Sequence, residues 1–254
     1  MALKLLVDTL NGVFTMSTIK EFQGNIFESS CQTLVNTVNC VGVMGRGIAL
    51  EFKNRFPEMY DEYARHCAQK RIHPGVLHLW KKSEPWILNF PTKNHWKYPS
   101  KIEYIEQGMA KFSATYATKG ITSIAFPELG TSLGGLQWNT VKEVMYRFLE
   151  PLPNLEIEIY HFDPTAEDSL FDKLHQRIHR FSISDYKRYL GIGSKQAQLL
   201  IDAFSTNAIH SMLEIQAIRG VGDKTIQYLY EFAKSSGEKR RIITQTERQP
   251  NLVF

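Results

Sequence analysis

Three segments carry residues whose types and spacing could do chemistry. The first is Gly42-Val43-Met44-Gly45-Arg46-Gly47. Glycines let backbone N–H groups approach a phosphate, and a helix starting just behind them adds a favourable field. A plain tight turn uses the same residues. The apolar run before it, Val35-Asn36-Thr37-Val38-Asn39, holds two asparagines. Amides at Asn36 and Asn39 suit ribose hydroxyls and equally suit local Asx turns. The second segment is Phe90-Pro91-Thr92-Lys93-Asn94-His95-Trp96. Lys93 stands where a strand should end, the edge at which open α/β sheets hold ligands. A lysine becomes a nucleophile when burial lowers its pKa, although most lysines are solvated surface groups. His95 reads more simply as a packing or capping residue than as a catalyst. The third segment, residues 126–138, contains Gly130-Thr131-Ser132-Leu133-Gly134-Gly135. Two such loops in one domain could clamp a diphosphate from both sides.

A fourth pattern repeats. Gly191-Ile192-Gly193-Ser194-Lys195 recurs 29 residues later as Gly220-Val221-Gly222-Asp223-Lys224. Each copy follows one apolar helical stretch and opens another, which spells helix, GxG turn, helix, twice.

These residues need elements to position them. Short apolar or alternating runs predict strands over residues 18–22, 33–36, 76–80, 86–90, 123–126 and 156–161. Between them, helical patterns cover 48–56, 57–70, 102–118 and 138–149. Pro57 suits a first helical turn, and Ile102, Ile105, Met109 and Phe112 share one helix face. Strands alternating with helices imply an α/β fold, a mixed sheet between helices. Near residues 163–168 the style changes, and helical patterns dominate to Lys234, as in a small all-α domain. The expected organisation is an N-terminal extension over 1–15, an α/β domain over 16–165, a helical domain over 166–235 and a tail over 236–254. Met16 reads as a second candidate start, and residues 242–244 as a candidate strand.

Composition sets bounds. The chain has 254 residues, 43% hydrophobic and 22% charged, which excludes wholesale disorder. No apolar run reaches the ~20 residues of a membrane helix, and no secretory signal pattern opens the chain. Cys31, Cys40 and Cys67 show no CxxC spacing and read as free thiols of a reducing, cytoplasmic compartment. No metal-ligand spacing and no cofactor motif stands out, so neither is expected. Residues 1–166 hold 17 Lys and Arg against 16 Asp and Glu; residues 167–254 hold 13 against 10. The mild positive excess therefore sits in the last third, which hints at an anionic partner there.

Gly24-Asn25-Ile26-Phe27, residues 36–49, Phe90 to Trp96 and residues 127–138, in this order, resemble the macrodomain family. Within it they resemble the branch of DNA ADP-ribosyl glycohydrolase antitoxins and terminal ADP-ribose protein glycohydrolases. The resemblance implies a crevice at the strand ends that holds ADP-ribose. Gly24, Asn25 and Ile26 would lie near the adenine; many members have Asp where Asn25 stands. Asn39 would contact the distal ribose, with Asn36 nearby. Gly42, Val43, Met44, Gly45, Arg46 and Gly47 would cradle the phosphates with Gly130, Thr131, Ser132, Leu133, Gly134 and Gly135. Thr92 would line the site beside Lys93, which matches the catalytic lysine that attacks the anomeric carbon. The protein-directed relatives carry a catalytic aspartate where this chain has Gly134. The DNA-directed branch lacks it too, so the departure points to DNA.

The function so implied is hydrolysis of ADP-ribose from DNA bases, thymine first among them, by the antitoxin of a DNA ADP-ribosyltransferase toxin. ADP-ribose, ADP-ribosylated DNA and a cognate toxin would be its partners. Glu128 and His95 stay open as general acid or base. Two competing readings are a module that binds ADP-ribose without turnover and an antitoxin that neutralises by protein contact. The C-terminal repeat resembles tandem helix-hairpin-helix motifs, which implies DNA phosphate contacts by Gly191, Gly193, Lys195, Gly220, Gly222 and Lys224. In the antitoxin branch the C-terminal region binds the toxin; the two uses are compatible.

Overall fold

The computed structural model describes residues 17–206 and 209–235. The expected N-terminal extension, the tail and the candidate strand at 242–244 lie outside the described residues. Six strands form one sheet: β1 (Thr18–Gly24), β2 (Thr33–Asn39), β3 (His78–Trp80), β4 (Trp86–Lys93), β5 (Ser123–Pro127) and β6 (Glu156–Phe162). Their order is β1-β6-β5-β2-β4-β3. All neighbours are parallel except β3, which runs antiparallel to β4 at one edge. The C-terminal ends of β2, β4 and β5 therefore open at the same edge, each into one of the three chemistry-bearing segments.

Helices α1 (Gly47–Arg55) and α2 (Pro57–Ala68) cover one face; α3 (Ile102–Thr115) and α4 (Trp138–Leu149) cover the other. Alternation along β4 explains the two cores: Ile87 packs with Phe52, Met59 and Tyr63, while Leu88 and Phe90 pack with Ile105, Met109 and Phe112. Buried on both faces, the central strands read as near-continuous apolar runs. Helix α3 approaches β4 closely at Gly108, where an added Cβ would lie 2.1 Å from Phe90 Cζ. The strand expected to stop at Phe90 instead runs through Pro91 to Lys93. Proline is accommodated there because β3 pairs only as far as Asn89, leaving one side of β4 without a ladder.

A polar thread enters the apolar layer between the sheet and α2. Asn36 and Asn89 are fully buried partners across β2 and β4. Asn36 Nδ2 donates to Asn89 Oδ1 at 2.8 Å, and Asn89 Nδ2 lies 3.0 Å from His78 Nδ1. His78 Nε2 lies 3.2 Å from Glu62, which pairs with Lys82 at 2.7 Å. Each link satisfies a group that would be costly to bury alone.

A second compact unit begins at Asp168. Its described elements are helical: α5 (Ser169–Ile178), α6 (Ile183–Asp185, continuing as a π-helical turn over Tyr186–Leu190), α7 (Ser194–Ser205), α8 (Met212–Ala217) and α9 (Asp223–Lys234). Asp168, itself buried, caps α5 by accepting from Leu170 and Phe171 N–H, and its other oxygen accepts from Met212 N–H at 2.9 Å. The two GxG turns are built alike. Gly191 and Gly220 have φ of +67° and +94°, while Gly193 and Gly222 are the N-caps of α7 and α9. That left-handed first position is what glycine permits.

Candidate functional site

Lys93 is the last residue of β4, half-buried at the sheet edge. Its backbone is clamped to the end of β2: Cys40 N–H donates to Lys93 O at 3.1 Å. Its Nζ donates to Leu133 O at 2.5 Å, so the amine rests against the second glycine loop. Among the described residues no carboxylate pairs with it. Burial lowers its pKa from the usual 10.5, the direction a nucleophilic amine needs.

The two glycine loops meet here. Gly47 faces Leu133, since a Cβ on Gly47 would lie 3.3 Å from Leu133 Cδ1. Helices α1 and α4 start without a side-chain cap, leaving backbone donors at the edge. Within the first loop, Gly42 sits against Ala64 and Cys67 of α2 at φ +75°, so neither its space nor its backbone suits a side chain. Val43, Gly45 and Arg46 are exposed and Met44 is buried. In the second loop Gly130 and Gly135 adopt positive φ, Thr131 and Gly134 are buried, and Ser132 and Leu133 are exposed. Thr92 is buried beneath the strand end.

Several expected site residues have partners within the protein. Asn36, expected near a ribose, is inside the sheet; its Nδ2 donates to Asn89, and its buried Oδ1 has no hydrogen-bond partner among the described residues. A polar residue in a parallel strand reads the same in sequence whether it faces a crevice or a buried partner. Asn39 is turned onto its own loop: Nδ2 donates to Val43 O at 2.5 Å, and Oδ1 accepts from Val41 and Val43 N–H. It shapes the glycine loop, the Asx-turn reading of this residue. Asn25 Oδ1 likewise accepts from Phe27 N–H, and Ile26 is buried in the core below, with Gly24 ending β1 beside them.

The two candidates for general acid or base both have structural partners. His95 Nδ1 accepts from Lys97 N–H at 3.2 Å. Glu128 Oε1 lies 2.6 Å from His161 Nδ1, and Oε2 accepts from Thr131 Oγ1 at 3.1 Å. His161 Nε2 reaches Glu21 at 2.8 Å. Burial pulls His161 down, but its bonds to Glu128 and Glu21 outweigh that and leave its pKa raised. Bonds from Lys142 and Tyr146 hold Glu21 down at about 2.

One residue in the site carries no sequence signal. Ser100 is buried, its N–H donates to Gly134 O at 2.9 Å, and its hydroxyl has no partner among the described residues. A Cβ on Gly134 would lie 2.5 Å from Ser100 Oγ and 4.0 Å from Lys93 Cε. Gly134 thus packs directly against Ser100, and a side chain at this position would have to displace that buried hydroxyl. Elsewhere, Glu62, His66 and His78 bring ligand atoms within 4.8 Å of one another, a donor set of the type that holds a divalent metal.

In the helical unit, Gly191, Gly193 and Lys195 are exposed on one turn, and Gly222 and Lys224 on the other, with Gly220 at its start. Each lysine is the second residue of its helix.

The Macro domain family model matches residues 35–145. A DNA ADP-ribosyl glycohydrolase of Thermus aquaticus is 40% identical over 142 residues, 54% of this chain and 39% of that protein. A DNA ADP-ribosyl transferase-DNA ADP-ribosyl glycohydrolase fusion protein of Thermosipho africanus is 37% identical over 157 residues, 54% of this chain and 40% of the fusion. The chain thus spans about two-fifths of the length of these relatives. Among solved structures, the macrodomain of Thermus aquaticus DarG is similar at a TM-score of 0.55 and 38% identity, covering 57% of this chain and 99% of that one. Thermosipho africanus DarTG in complex with ADP-ribose is similar at a TM-score of 0.54 and 34% identity, covering 59% of this chain and 43% of that one. With sheet order, glycine loops and these likenesses in agreement, the chain belongs to the macrodomain family.

Proposed function

We propose that this chain hydrolyses ADP-ribose from modified DNA bases, thymine first among them, with Lys93 as nucleophile. The observation that carries this is the Lys93 amine: partly buried at a strand edge, without a carboxylate partner among the described residues, and bonded to the second glycine loop. Its lone pair would bond to the anomeric carbon of the distal ribose as the bond to the base nitrogen breaks, the base leaving with a proton. Water would then free ADP-ribose and restore the amine. The loops and the uncapped starts of α1 and α4 supply donors for the diphosphate. Gly134, in place of a carboxylate beside Lys93, supports a DNA adduct over a protein adduct. Relatives named DNA ADP-ribosyl glycohydrolase support the same substrate, and the transferase fusion supports a role as the antitoxin of a DNA-modifying toxin.

The deciding experiment is ADP-ribose release from an ADP-ribosylated single-stranded oligonucleotide by wild type and Lys93→Ala. Release that is unchanged in the variant sinks the role of Lys93. Tight ADP-ribose binding with no turnover would make the protein a binding module instead.

The helical unit supports a second, compatible activity: holding DNA phosphates on the Gly193 and Gly222 turns with Lys195 and Lys224. The matched construction of the two turns favours it. Asp223 at the start of α9, where the first copy has Ser194, makes the first turn the better anion site. DNA affinity that ignores salt and the Lys195→Glu/Lys224→Glu pair would refute it. Rescue of toxin-expressing cells by residues 168–254 alone would assign this unit to the toxin.

A further inference from the structure

Beyond Lys93 the chain turns sharply and displays its aromatic side chains. Tyr98 N–H donates to His95 O at 3.1 Å, and His95 Nδ1 accepts from Lys97 N–H. The His95 ring stacks on Trp96, centroids 5.6 Å apart at 26°, and lies 5.6 Å from the Tyr98 ring. The far end of the turn is pinned by Ser100 N–H on Gly134 O. Three rings are thus held by a short, bonded turn, yet Trp96 is 50% and Tyr98 65% exposed. Exposed rings grouped on one turn, unlike single exposed apolar residues, mark an interaction surface.

Charge says what covers them. No Asp or Glu occurs between Glu84 and Glu103, while Lys93, Lys97 and Lys101 all fall within that interval. Lys97 Nζ lies 5.2 Å from the Trp96 ring centroid. Open rings on a segment that carries lysines and no acidic residue match the chemistry of single-stranded nucleic acid, whose bases stack on aromatic faces while phosphates meet cations. An apolar protein partner would gain nothing from the lysines.

We propose that the His95–Tyr98 turn is a base-stacking platform. It holds single-stranded DNA beside Lys93, with bases next to the modified one on Trp96 and Tyr98 and the backbone on Lys97 and Lys101. The inference rests on the hydrolase reading and names how that site selects a strand.

The test compares two substrates: an ADP-ribosylated oligothymidylate, and thymidine carrying ADP-ribose on its base. Trp96→Ala/Tyr98→Ala should lower kcat/KM on the oligonucleotide by about tenfold to a hundredfold, through KM. The nucleoside rate should be unchanged, and Trp96→Phe/Tyr98→Phe should restore most of the loss. Wild-type rates on both substrates, or equal losses on both, overturn the platform. If wild type turns over neither substrate, the hydrolase reading falls. The platform is then judged by fluorescence anisotropy of labelled, unmodified oligothymidylate: weaker binding by the alanine pair supports it, and unchanged or absent binding overturns it.

Discussion

Lys93 Nζ donates to the main-chain oxygen of Leu133, 40 residues away, so the amine at the end of β4 is aimed by the loop that follows β5. Burial of this amine disfavours its charged form and lowers its pKa. The rate of base release should therefore rise with pH and level off below the 10.5 of a free lysine. Lys93→Ala should lower kcat by about a hundredfold or more, the order for a positioned catalytic group. A pH–rate profile with no rising limb would detach the amine from the chemistry.

Gly134 and Ser100 should behave as a coupled pair. Gly134→Ala puts a methyl group against Ser100 Oγ, and activity should fall by about tenfold as the loop shifts. Ser100→Ala removes that oxygen, so the double variant should lose less than the two single losses combined. A double-mutant cycle on kcat/KM measures the coupling, and strict additivity would separate the two residues.

His161, between Glu21 and Glu128, should make stability pH-dependent. Its folded pKa lies above the ordinary 6.5. The contribution is therefore full below about pH 6.5 and is lost as pH rises through the folded value. Urea midpoints should fall over that alkaline interval in wild type and stay flatter in His161→Gln. Equal slopes in the two proteins would show that the clamp does not matter to folding.

Two glycines should answer opposite ways to alanine. Gly108→Ala forces a methyl group into Phe90 and should destabilise the α/β unit by about 1–3 kcal/mol. Gly222→Ala meets nothing within 4 Å, so the helical unit should keep its stability to about 1 kcal/mol. A lowered DNA affinity in Gly222→Ala would then report contact at the turn. Thermal melts of both variants, with salt-dependent DNA binding for the second, check the contrast.

Much of this arrangement was legible from residue pattern. The six apolar runs mark the strands, Pro57 marks the start of α2, and the two glycine loops with Lys93 converge at one edge. What was not legible depends on contacts distant in sequence. Ser100 is an ordinary serine until the second loop folds against it. His161 acquires its charge environment from residues 33 and 140 positions away. The pairing of Asn36 with Asn89 across the sheet joins residues 53 positions apart, and nothing local in the sequence announces it.

The buried Asn36–Asn89 bond has a consequence for the crevice above it. These two residues stand opposite each other on β2 and β4, the strands that end in the first glycine loop and in Lys93. A slip of one residue would break the amide bond and turn every side chain of the strand to the other face. The pair therefore works as an indexing pin for the paired run from Thr33 to Val38, beyond which the register shifts before Lys93. A leucine pair of similar volume would fill the space but carry no such mark of alignment.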